Sequence, residues 1–202
     1  HLHEFGVVVP QGVTKIIALL PPLLENDSNL PALLKSLLRD LLDDIHHINQ
    51  RVDALDKQIN AFVKNNDTAT RLMTIAGIGP ITASALVATT GDPHLFKNSR
   101  QFSAWLGLVP KQFSSGGKTK LGRITKAGDG YLRKLLIQGA RAVLFRSGTH
   151  TDQRSLWINQ LRARKPDNVV ATALAAKLAR TAWAIMTRDE TYQVNHTGLT
   201  GA

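Results

Sequence analysis

Leu34, Leu38, Leu41, Ile45, Ile48, Val52, Leu55, Ile59 and Phe62 follow one another at alternating steps of four and three. That spacing is a heptad seam and predicts one long helix. At ~1.5 Å per residue such a helix reaches roughly 50 Å, too long for one small domain to cover. The seam therefore predicts a partner helix, in a second copy of the chain or in another segment. A long core helix inside a single bundle is the competing reading. Upstream, Gln11 to Leu20 reads as a short helix closed by Pro21-Pro22, and Asn29 before Pro31 reads as a helix cap.

Downstream, Asn65-Asn66-Asp67 ends the long helix. Arg71 to Val87 reads as helix, tight Gly77-Ile78-Gly79 turn, helix, with Pro80 in the first turn of the second. A third helix is predicted from Ser99 to Leu106. Between Leu108 and Thr125 the pattern becomes extended and Gly-rich, which predicts a two-stranded ribbon about Ser114-Ser115-Gly116-Gly117. Helices return at Gly130–Leu144 and Asp167–Met186, and a loose polar tail follows Glu190. The expected fold is mainly α: a long heptad helix, then a helical domain with a helix-hairpin-helix and a small β-ribbon. Its predicted segments are a connecting stretch (1–28), the long helix (29–66), the helical domain (67–189) and the tail (190–202).

Composition narrows the function classes. Of 202 residues, 43% are hydrophobic and 20% charged, a globular balance that excludes wholesale disorder. No run approaches about 18 consecutive apolar residues, so no membrane span is expected. The absence of cysteine excludes disulfides, thiol nucleophiles and Cys-based zinc sites, and fits a reducing cytoplasm. The opening His1-Leu2-His3 has neither Met nor a basic-then-apolar leader, and is read as a piece of something longer without a signal peptide. Net charge is +10, and its placement matters more than its size. From Lys97 to Lys165 there are fifteen Lys/Arg and two acids, Asp129 and Asp152, whereas the remainder has ten Lys/Arg and thirteen acids. A segregated basic block fits a polyanion, most simply nucleic acid; the competing reading is a solvated basic surface. With aromatics at 5%, an RNA-stacking sheet is not expected.

Gly77-Ile78-Gly79 lets the backbone turn sharply while Ile78 plugs the core. The amides at the start of the next helix then form an anion site suited to a DNA phosphate. Ile75-x-Gly77-Ile78-Gly79-x-x-x-Ala83 resembles the helix-hairpin-helix module, which grips the DNA backbone without reading sequence. An ordinary tight helix–helix turn is the alternative.

Three readings compete for Ser114-Ser115-Gly116-Gly117-Lys118-Thr119-Lys120. A Walker phosphate loop needs Gly where Gln112 stands. Ser115-x-x-Lys118 matches the serine–lysine pair of penicillin-recognising enzymes, but both companion motifs are missing. The third reading is a serine on a Gly-rich turn among Lys111, Lys118, Lys120, Arg123 and Lys126. Those cations could stabilise an alkoxide and the oxygens of a phosphate. From spacing alone, a plain Gly/Ser hairpin turn is the more economical account. Asp43 and His47 share a helix face, but two ligands do not make a metal site, so none is assigned. Lys177, Arg180 and Trp183 read as helix packing with a basic edge.

Four blocks add what spacing does not: Ala76–Ala83, Phe96–Pro110, Ser114–Lys118 and Leu121–Arg133. Their residues, order and spacing resemble the C-terminal transposase domain of the IS110/IS1111 insertion-sequence family, over most of residues 70–186. The stretch from Glu4-Phe5-Gly6-Val7 to Phe62 resembles the segment and coiled coil that precede it. The resemblance implies strand cleavage by a serine nucleophile through a transient phosphoserine linkage. It puts that role on Ser115, with Ser114 as the alternative. Nucleic-acid contacts are expected from Gly77, Gly79, Lys111, Lys118, Lys120, Arg123, Lys126 and Arg133. Family members carry an N-terminal RuvC-like nuclease domain whose acidic residues hold Mg²⁺. Nothing in this chain matches that domain, so no cofactor is expected in this stretch and the stretch alone is expected to be inactive. The partners implied are DNA, a structured non-coding RNA and a second copy of the chain through the 34–62 helix, with no membrane. The setting implied is the bacterial cytoplasm, at the nucleoid when acting. The rival from another class is a non-catalytic helix-hairpin-helix DNA-binding module.

If the heptad seam joins two chains, replacing Ile45 and Val52 together by Asp yields monomers in light scattering. An unchanged mass removes the seam from any dimer contact.

Overall fold

Side-chain caps start three of the helices that the hydrophobic pattern predicts. Asn66 Oδ1 accepts from the Ala69 amide at 2.8 Å, Asn98 Oδ1 from Gln101 at 2.9 Å and Asp129 Oδ1 from Leu132 at 2.8 Å. Each cap satisfies an amide that the first helical turn leaves unpaired. The computed structural model describes residues 2–26, 30–115 and 118–192, without the side chains of Asn26, Ser114, Ser115, Lys118 and Thr119. Asn29, Gly116-Gly117 and the tail from 193 onward lie outside the described residues.

The architecture is mainly α with one small antiparallel ribbon, as the sequence predicts. Two units divide the chain, residues 1–58 and 59–202. The first holds α1 (Val13–Asn26) and most of α2 (Ala32–Lys64). Pro21 and Pro22 lie inside α1 and do not close it, which corrects the predicted stop. Proline φ is compatible with a helix, and Leu20 and Leu24, one turn apart, are both buried. That shared apolar face rewards continuation where the two missing N–H groups oppose it. Helix α2 is continuous over the predicted span, and along it Leu41, Ile48, Val52 and Leu55 stay roughly half exposed.

The second unit contains α3 (Asp67–Met73), α4 (Pro80–Thr90), α5 (Ser99–Trp105), β1 (Pro110–Ser115), β2 (Lys118–Ile124), α6 (Gly130–Arg146), α7 (Gln153–Arg162) and α8 (Asp167–Arg188). Helix α7 has no counterpart in the sequence reading. Helix α8 is its central post: Val170, Ala171, Leu174, Ala175, Leu178, Ala179 and Ala182 are all buried, and α3, α5, α6 and α7 pack around it. The alanines let neighbouring helices approach closely. Among the described residues α8 is the one helix long and apolar enough to cross a bilayer, and half of that stretch is buried in the protein's own core.

Helix α6 crosses the α3–α4 turn at a contact only glycine permits. A Cβ on Gly139 would lie 1.8 Å from the Gly77 carbonyl oxygen, and Gly77 itself has φ +100°. Gly139→Ala should therefore lower the unfolding free energy by roughly 3 kcal/mol in urea denaturation. Gly148→Ala, which meets nothing within 4 Å, should change it by no more than about 0.5 kcal/mol.

Candidate nucleic-acid interface

The ribbon grows from a root built of backbone contacts. Gly107, at φ +68°, lies against Lys126 and Ala127, where an added Cβ would come within 2.8 Å of the Ala127 nitrogen. A Cβ on Gly128 would meet the Trp105 carbonyl oxygen at 1.8 Å. The Lys126 amide donates to Gly107 O at 3.1 Å, and the Thr125 amide to Val109 O at 2.9 Å. Below the root, Leu106 and Leu108 are buried and Ile124 packs on the core. Phe96, Phe102 and Trp105 stack there at centroid distances of 5.0–5.5 Å. Lys126 adopts φ +56°, a conformation non-glycine residues avoid, and so marks where the backbone must turn back.

Beyond the root the ribbon leaves the core. Phe113 and Leu121 are 60% and 62% exposed, so neither face is covered. Pairing runs Gln112–Leu121, Phe113–Lys120, Ser114–Thr119 and Ser115–Lys118. Directly paired residues share a face, and faces alternate along a strand. Positions 113, 115, 118 and 120 therefore fall on one face, and 112, 114, 119 and 121 on the other. The register shifts between Pro110–Ile124 and Gln112–Leu121, leaving β2 one residue longer there. Gly122 lies at that bulge with the Phe113 ring over it: a Cβ would sit 3.0 Å from Phe113 Cε2.

The predicted cations take different places. Lys111, Lys120 and Arg123 are exposed on the ribbon, and Lys126 is exposed at its root. Arg133 is instead half-buried, and its Nη1 donates to the carbonyls of Leu106 at 3.1 Å, Gly128 at 3.3 Å and Asp129 at 3.4 Å. It ties α6 to the ribbon root. Gly79 ends extended at the start of α4 with open space about it, whereas Gly77 is held against α6. Ile78 is buried, as the turn reading requires.

Residues 69–155 match the model of the transposase IS116/IS110/IS902 family. A probable family 20 transposase of Pseudomonas aeruginosa is 46% identical over 95% of this chain and 57% of its own length. The transposase of insertion element IS1111A from Coxiella burnetii is 38% identical over 95% of this chain and 53% of its own. The chain belongs to the IS110/IS1111 transposase family. It is equally similar to the IS1328 transposase of Yersinia enterocolitica, 38% identical over 95% of this chain and 57% of that one. It thus spans about half the length of these curated relatives. In this transposase-family chain the matched stretch runs from α3 into α7 and includes the whole ribbon with its root.

The basic edge read at Lys177 and Arg180 is joined by Arg154 and Trp157 of α7, which the sequence reading lacks. Lys177 Nζ lies 4.9 Å from the centre of the Trp157 ring on α7. Burial holds its ammonium below the ordinary lysine range, with Arg180 and Arg154 adding repulsion. Trp183 Nε1 donates to Pro93 O at 2.9 Å, so this tryptophan is structural. Asp152 at the start of α7 accepts from the Ser155 hydroxyl, which lowers the carboxyl below its usual range. Asp152-x-x-Ser155 ahead of Trp157, Ile158 and Leu161 was the available signal for that helix start.

Arg133→Met should cost about 2 kcal/mol in urea denaturation, because charged hydrogen bonds to three backbone carbonyls are lost. DNA affinity of the folded variant should stay near wild type. A loss of affinity at unchanged stability would return Arg133 to the binding surface.

Proposed function

We propose that this chain is the strand-transfer portion of a DNA transposase, with the Ser115 hydroxyl as nucleophile. Oγ attacks a DNA phosphorus, its proton passes to a base or water, and the bond to one deoxyribose oxygen breaks. That oxygen leaves as a hydroxyl. One phosphodiester is exchanged for another, so a hydroxyl from a second strand can reverse the step and free the serine without ATP. Lys111, Lys118, Lys120, Arg123 and Lys126 supply positive charge where the phosphate oxygens gain negative charge.

Ribbon register is the observation that carries the choice of serine. Position 115 pairs with 118 and shares its face with 120, whereas position 114 pairs with Thr119 on the opposite face. Ser115 is therefore the serine with two lysine positions on its own face. The ribbon also fits the role mechanically: a fixed root and a two-sided exposed shaft can enter a groove of nucleic acid. Gly79 and the start of α4 are proposed to grip DNA backbone in the helix-hairpin-helix manner. Gly77 is assigned no contact, since its conformation and its approach to Gly139 account for it.

The Mg²⁺ that the family resemblance implies does not fit these residues. Among the described residues no group of three or more His, Asp or Glu could hold a metal ion. Of the two acids of the basic block, Asp129 caps α6 through the Leu132 amide, and Asp152 accepts from the Ser155 hydroxyl and pairs with Arg154. Metal binding is accordingly assigned to a RuvC-like domain elsewhere in the whole protein, and the 202 residues alone are proposed to be inactive. The partners proposed are DNA, a structured non-coding RNA and a second copy of the chain through the 34–62 stripe, in a bacterial cytoplasm.

In the full-length protein, Ser115→Ala should abolish strand exchange and the covalent protein–DNA adduct while DNA binding persists. Ser114→Ala should retain both. Recombination by the Ser115 variant would refute the nucleophile assignment and turn the test to Ser114.

A further inference from the structure

Helix α6 has no acidic residue from Gly130 to Arg146. Its inward positions, Leu132, Leu136, Ala140 and Leu144, fill the core. On the outside, Tyr131, Lys134, Gln138, Arg141 and Phe145 recur at steps of three, four, three and four. Those steps put them on one helix face, over about 21 Å. All five are exposed, Tyr131 by 57% and Phe145 by 90%. No packing contact explains so open a phenylalanine.

Beside Phe145 a groove of about 390 Å³ lies among α6, α7 and the start of α8, lined by Arg141, Leu144, Arg162, Asp167 and Asn168. Its walls are braced. Arg141 Nη2 donates to Asn168 Oδ1 at 3.0 Å, and Arg162 holds both Asp167 oxygens at 3.0 and 3.1 Å. The one acid on the groove is thereby neutralised.

We propose that this face of α6 binds an unpaired DNA strand, with one base stacked on Phe145 at the groove and Lys134 and Arg141 against the backbone. Tyr131 offers a second stacking platform. Cations interleaved with exposed aromatics suit a chain that carries both phosphates and open base faces. Duplex DNA hides its base faces and would leave both rings unused. The inference rests on the strand-transfer reading above, because cutting and exchange expose unpaired strands.

The test is fluorescence anisotropy of the 202-residue chain with oligo(dT), a duplex of equal length, and oligo(U). Phe145→Ala should weaken oligo(dT) binding roughly tenfold, and Phe145→Trp should restore it. Arg141→Gln should reduce the salt dependence of oligo(dT) binding by about 0.7 in slope. Duplex binding by Phe145→Ala should not change. Equal losses on duplex and single strand, or no loss on oligo(dT), overturn the proposal. Tighter binding of oligo(U) through the same residues overturns the assignment to DNA. A changed mass of Phe145→Ala in light scattering gives the face to a second copy instead. If the wild-type chain binds neither DNA form, the strand-transfer reading fails as well; intact duplex binding with an indifferent Phe145 sinks this inference alone.

Discussion

Helix α6 is fixed by close backbone approach at one point and by a half-buried guanidinium at another. Near its middle, Gly139 meets the Gly77 carbonyl with no room for a methyl group. Near its start, Arg133 reaches back to the Leu106 and Gly128 carbonyls. The second contact depends on Gly128 itself lying against Trp105 O. Between them these contacts set α6 against the α3–α4 turn and against the ribbon root. Steric exclusion is steep, so such contacts position elements more sharply than apolar packing, which tolerates sliding.

The ribbon inherits its direction from that root. An isolated two-stranded hairpin is marginal in water, and this one leaves Phe113 on one face and Leu121 on the other exposed. What stability it has comes from below, through Ile124, Leu108 and the bonds of Lys126 and Thr125 to Gly107 and Val109. The ribbon is thus held at its root, while Phe113 and Leu121 above the root stay in solvent.

The helices were legible in the sequence wherever one apolar stripe sat between cap and stop signals, as at Asn98 to Trp105 or Asp129 to Arg146. Pro21-Pro22 misled because local propensity was outweighed by the buried pair Leu20 and Leu24. Helix α7 was missed because only Ile158 and Ser155 of its ten residues are buried, leaving too weak a stripe to read. At the candidate site the ribbon and its basic character were legible, but the ranking of Ser115 over Ser114 came from family resemblance. Spacing alone carries no face assignment; the register does. Arg133 shows what spacing omits: a cation in a basic block reads as a ligand contact, and only the fold shows that its Nη1 also donates to the Leu106, Gly128 and Asp129 carbonyls. Its neighbourhood of glycines gave the hint, since close backbones leave carbonyls in need of a donor.

Charge segregation also has a structural cost that the fold contains. The basic block holds two acids against fifteen cations: Asp129 caps α6 and Asp152 pairs with Arg154, so most of its cations face like charges within the block. At the half-buried edge of Lys177, Arg154 and Trp157, burial and two neighbouring guanidiniums hold the lysine ammonium below its ordinary range. The remaining cations relieve the like-charge repulsion by standing in solvent on the ribbon and on the outer face of α6. Repulsion of this kind is reduced by a polyanion and by salt. Whatever neutralises the exposed lysines and arginines therefore also steadies the unit that carries them.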